Sequence, residues 1–219
     1  IMMNAVLMLL LTVPVCAHSK AIDLNKQRAG LKVTAVTVDS FRAIDVTIEN
    51  LSSRKRNIRI SASDWFQSQD KSKEFQDLAV IESVEVTIEA KVKVTVRVKT
   101  ACKQAKRKAP PNGHSMQPGK TRQRDRDFGK LVDEYNAPAA SSLMGGVLGL
   151  AGVGDKRFLL QMMTWVYYKS SRQDMVEFAA VNLYNGDRAK AKQMVDAIYP
   201  IAEQAIDPSK PRKTPSLKQ

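Results

Sequence analysis

Hydrophobic residues recur at every second position along most of the chain from Leu31 to Lys99. The stretches LKVTAVTV, AIDVTIEN and NIRISA each alternate; Val46 and Ile48 alternate with Thr47 and Glu49, and Ile58 and Ile60 lie two apart. The longest run is Ser83 to Lys99, where every even position from Val84 to Val98 is apolar and every odd one is polar. Such alternation gives a strand one face toward a core and one toward water. The run is longer than an ordinary strand, so it is expected to fold back near Ala90 as a hairpin. That turn would pair Ile88 with Val92, Val86 with Val94 and Val84 with Val96.

About six short strands separated by polar breaks predict an antiparallel β-sandwich of immunoglobulin type over residues 31–102. Residues 103–125, with Pro110-Pro111 and two glycines, predict a basic loop or linker. The period then changes. Phe128, Leu131, Val132 and Tyr135 fall at i, i+3, i+4 and i+7, which is one stripe of a helix. RFLLQMMTWVYY and RQDMVEFAAVNLY predict two further helices, the second stopping at Asn185-Gly186. Asp187 can cap RAKAKQMVDAIYPIAEQAI, which should kink or break at Pro200. The predicted fold class is α+β: a β-sandwich, a helical region over 126–206, and a tail over 207–219 with the composition of a disordered segment.

Hydrophobic content of 43% and charged content of 26% are those of a globular protein. The net charge of +13 is concentrated, because residues 91–130 carry +11, the tail from Pro208 carries +4 and the remaining residues sum to −2. The N-terminal residues 1–17 read as a secretory signal, with an apolar run from Ala5 to Val13 and a cleavage site near Ala17. No basic residue precedes that run. It is too short to span a bilayer, and no other segment is apolar for long enough, so an exported chain without a transmembrane span is expected.

Cleavage would leave Cys102 as the one cysteine of the mature chain. It ends the best strand and adjoins Lys103, Lys106, Arg107 and Lys108, which would favour the reactive thiolate. It can equally be a small buried residue at a strand end. Gln161 lies in an apolar helix among Leu159, Leu160, Met162 and Met163, where its amide needs partners, and Trp165 shares its face one turn on. It can equally bond a loop backbone, with Trp165 as ordinary core. A strand-end cysteine followed by an apolar-Gln-x-x-x-Trp motif resembles the thioester domains of bacterial surface adhesins. The resemblance covers these two motifs and their order. It implies a non-enzymatic adhesion role in which the Cys102 sulfur attacks the Gln161 side-chain amide, ammonia leaves and Trp165 shields the resulting thioester. The chain departs from the family pattern at Ala101, where a large apolar residue is usual, and at Thr164 before the tryptophan.

The basic segment supports a different reading, an electrostatic binder of anionic polymers or membrane surfaces. Its candidate contacts are Lys91, Lys93, Arg97 and Lys99 on a strand, Lys103, Lys106, Arg107 and Lys108 after it, and Arg122, Arg124 and Arg126 beyond. Few aromatics interleave with these bases, and export makes nucleic acid the less favoured partner than a protein or anionic polymer at the cell surface. A solvated charged surface that keeps the chain in solution would look the same. His114 has no orienting acid in sequence and cannot assemble a metal site, so no cofactor and no catalytic residue is expected.

Overall fold

The structure is a computed structural model that describes residues 21–26, 28–70, 72–137, 156–207 and 209. The stretch read as an export signal, the Gly-rich SSLMGGVLGLAGVG and nearly all of the C-terminal tail lie outside the described residues. Nine strands come first: β1 (Ile22–Asp23), β2 (Leu31–Thr37), β3 (Ala43–Asn50), β4 (Arg56–Ile60), β5 (Trp65–Ser68), β6 (Leu78–Val80), β7 (Val84–Ile88), β8 (Lys93–Cys102) and β9 (Ser115–Pro118). Helices follow: α1 (Gln123–Asn136), α2 (Lys156–Tyr167), α3 (Arg172–Leu183) and α4 (Arg188–Ile206).

Six strands close an antiparallel barrel in the order β2-β3-β8-β6-β5-β9, and β1-β4-β7 form a separate mixed sheet. The immunoglobulin-like β-sandwich expected from the strand pattern does not form, although the α+β class does. The cause is β9, inside the stretch expected to be a linker. Its four residues pair with β2 through Ala35↔Met116 and with β5 through Phe66↔Pro118, Gln67↔Gln117 and Ser68↔Met116. One short strand thus joins both free edges and turns an open sheet into a barrel.

The expected hairpin at Ala90 is also replaced. β7 pairs with β4, with Ile58 opposite Val86, whereas β8 pairs with β3 from Ala43↔Lys99 to Glu49↔Lys93. The turn between them, with Lys91 at φ 62° and Val92 N–H on the Glu89 carbonyl, carries the chain from one sheet to the other. Asn50, fully buried, ties that crossing down by donating to the Arg54 and Glu89 carbonyls.

The apolar faces of both sheets meet in one core: Ile44, Val46, Ile48, Phe66 and Val98 of the barrel, and Ile58, Ile60 and Ile88 of the small sheet, are fully buried. The α1 stripe Phe128, Val132 and Tyr135 is buried against it. Gly129 belongs to the same contact, because a Cβ there would lie 2.6 Å from the Ser63 backbone nitrogen. Ser171 caps α3 by accepting from Asp174 N–H, and Asp187 caps α4 by accepting from Lys190 N–H. The last helix continues through Pro200 instead of ending there.

Candidate functional site

Strand β8 outlasts its neighbour β3. The β3 ladder ends at Lys99, while pairing with β6 runs on through Thr100, Ala101 and Cys102. In an antiparallel strand, alternate residues direct both backbone groups to the same side. Thr100 N–H still finds the Arg42 carbonyl at 2.9 Å, but Cys102, two residues on, faces an edge without a strand. Gln161 of α2 takes that place. Cys102 N–H donates to Gln161 Oε1 at 2.8 Å, and Gln161 Nε2 donates to the Cys102 carbonyl at 2.9 Å. The carboxamide therefore extends the ladder as a backbone peptide would, and both groups are buried.

The two motifs that the sequence singles out are thus in direct contact. The thiol is not activated, however. Cys102 is fully buried as a free cysteine, and burial pushes its pKa well above the ordinary thiol value. The expected thiolate-favouring effect of the neighbouring bases is absent because desolvation governs here. Trp165 is also fully buried, in the same core as Cys102, and its ring meets Phe178 edge-on at 5.0 Å. Phe178 in turn meets Phe41, so the indole anchors the helices to the β2–β3 turn.

Beside Cys102 lies a cluster that sequence reading missed. Lys103, assigned to a surface patch, is buried. Its Nζ donates to Asp125 Oδ1 at 2.9 Å and sits 4.1 Å from the Trp65 ring centroid and 4.2 Å from that of Tyr168. Tyr168 OH donates to the same Asp125 oxygen at 2.7 Å, and Arg122 N–H donates to the other at 2.9 Å. Burial pulls the Asp125 carboxyl upward, but the bonds from Tyr168, the Arg122 N–H and the Lys103 ammonium together hold it below the usual carboxylate range. Burial lowers Lys103, outweighing the attraction of Asp125. The available signal was Asp125 itself, an acid three residues into a helix start within a run of bases.

The remaining bases are less exposed in charge than their sum suggests. Arg97 pairs with Asp45, Lys99 with Glu82, Arg107 with Asp77 and Lys108 with Glu74. Arg124 lies over Tyr167 and Tyr168 and bonds the Tyr167 carbonyl. Lys91 donates to the Leu51 carbonyl. Lys93, Lys106, Arg122 and Arg126 are exposed, and their side chains have no acidic partner among the described residues. His114 is engaged away from Cys102, with its Nε2 2.8 Å from Ser68 Oγ and its ring against Phe75.

Compared with protein-family models, with curated proteins and with solved structures, the chain has no match. Among the described residues, no helix is long and apolar enough to cross a membrane.

Proposed function

We propose that the chain is an exported, non-enzymatic interaction protein, akin in its Cys–Gln arrangement to the thioester domains of surface adhesins, with Cys102 and Gln161 acting as a non-covalent clamp. The observation that carries this reading is the double hydrogen bond between the Gln161 amide and the backbone of a buried, protonated Cys102. The amide oxygen and one amide N–H are engaged as in a strand ladder, and burial disfavours the thiolate. The helical layer and the barrel are locked as one body by it, which suits a module that presents a fixed surface to a protein partner.

A covalent reading has one observation in its favour: Cys102 N–H already points at the amide oxygen, where negative charge would develop if Sγ attacked. Intact mass of the purified chain, with and without a thiol alkylator, separates the two. The clamp gives full mass and a thiol that alkylates once the chain is unfolded. A chain one ammonia lighter, inert to alkylator until an amine opens it, would overturn the clamp and establish a thioester.

The electrostatic alternative draws less support, since five of its eleven candidate bases are paired with acids. Salt-insensitive binding to a polyanion would remove it.

A further inference from the structure

A cleft of about 480 Å³ opens among β1, the residues just after β4 and the loop from Pro118 to Thr121, a volume typical of small-ligand sites. Asp64 lines it while being only 2% exposed. Its Oδ2 accepts from Ser61 N–H at 2.9 Å, but Oδ1 is buried with no hydrogen-bond partner among the described residues. A buried carboxyl oxygen of this kind is costly unless a bound molecule completes it.

The loop wall of the cleft is held in place from two sides. Arg28 donates to the Pro118 carbonyl at 3.3 Å and to the Gly119 carbonyl at 2.7 Å. On the other side, Trp65 lies so close that a Cβ on Gly119 would come within 2.2 Å of the ring, and Trp65 Nε1 donates to the Lys120 carbonyl at 3.3 Å.

Charge in the cleft is one-sided. Lys26 and Asp23 pair at 2.8 Å and cancel. Arg28, Lys120 and Arg126 have no carboxylate partner among the described residues. Arg28 bonds carbonyls and Asn25, and Arg126 bonds Gln123. Burial, with the like charge of Asp23 adding to it against the opposing Arg28, pushes the Asp64 carboxyl up to about 7, so at neutral pH it offsets these cations only in part.

We propose that this cleft binds a small hydroxylated phosphate monoester, its phosphate on Arg28, Lys120 and Arg126 and a hydroxyl on Asp64 Oδ1. Three unpaired cations suit a dianion, and guanidinium groups suit its oxygens. Ser63 and Thr121, which also line the cleft, add hydroxyls that suit a polyol. The site is independent of the Cys102–Gln161 contact, whatever bond that pair makes.

The test is calorimetric titration of the full chain with sn-glycerol 3-phosphate, inorganic phosphate and glycerol. Glycerol phosphate is expected to bind saturably at one site, more tightly than inorganic phosphate, and glycerol not at all. Lys120→Ala with Arg126→Ala alters two exposed side chains and is expected to weaken binding at least about tenfold, with the thermal unfolding midpoint retained. Asp64→Asn keeps a group that can accept from Ser61 N–H and cannot titrate. Wild-type affinity should improve from pH 8 toward neutrality relative to Asp64→Asn, as the carboxyl facing Asp23, Arg28 and the cleft cations Lys26, Lys120 and Arg126 takes up its proton. The phosphate's own titration is common to both proteins and cancels in the comparison. No saturable binding of glycerol phosphate, equal affinity for inorganic phosphate, or unchanged affinity in the double variant would each overturn the proposal.

Discussion

Gln161 holds Cys102 by its backbone and not by its side chain: the amide bonds the N–H and the carbonyl of the cysteine residue at 2.8 and 2.9 Å. The two residues should therefore respond very differently to substitution. Gln161→Leu leaves two buried backbone groups bare and is expected to destabilise by about 3 kcal/mol. Cys102→Ala keeps both bonds and should cost only about 1 kcal/mol. Urea denaturation of the two variants reads this asymmetry directly. Equal losses would mean that the sulfur contributes as much as the amide.

The buried thiol carries a kinetic expectation. Alkylation of native Cys102 should be far slower than that of the unfolded chain and should track opening of the fold. Raising the pH to 9 should not bring it to the rate of an exposed cysteine, because burial holds its pKa up.

At the Lys103–Asp125 pair, removing either partner strands a charge among Trp65 and Tyr168. Lys103→Met and Asp125→Asn should each destabilise by about 3 kcal/mol, and the double variant by less than their sum. Asp125 titrates below the usual carboxylate range when folded. Its contribution is thus complete above the unfolded value of about 4 and disappears as the pH falls through the folded one. Acid unfolding of Asp125→Asn should lack that limb.

Asp64 behaves in the opposite sense. Folding raises its carboxyl from 3.8 to about 7, so the native state holds the extra proton between those values. Stability is full below about pH 4 and falls as the pH rises through 7, by up to about 4 kcal/mol. Unliganded Asp64→Asn should be flatter over that window and more stable than wild type at pH 8.

Gly129→Ala drives a methyl carbon to 2.6 Å from the Ser63 nitrogen and 2.8 Å from its Cα. Helix α1 would have to lift from the barrel, at about 2 kcal/mol. A lowered thermal midpoint with retained far-ultraviolet dichroism would show loss of docking and not of helix.

What the sequence discloses here is the period of each segment and little about its neighbour. Val84–Val98 reads correctly as two strand surfaces, because side-chain alternation is local. Which sheet each strand joins is not local: the same alternation satisfies a hairpin at Ala90 or a crossing between sheets, and the positive φ at Lys91 carries no sequence mark. β9 escaped notice because Ser115–Pro118 holds a single large apolar side chain, Met116, too short a pattern to register. Cys102 and Gln161 stood out because each is chemically odd for its setting. Lys103 and Asp64 did not, since burial of a charged residue is a property of the assembled fold.

Barrel closure by β9 also sets an order for biosynthesis. A nascent chain that has reached Cys102 has five of the six barrel strands, with β2 and β5 as bare edges that can pair with any other chain. Nothing covers those edges until Ser115–Pro118 emerges, and Gln161, which completes the end of β8, comes later still. The period of greatest risk for misassembly thus falls in the interval between synthesis of the fifth barrel strand and the sixth, before any of the helices is made.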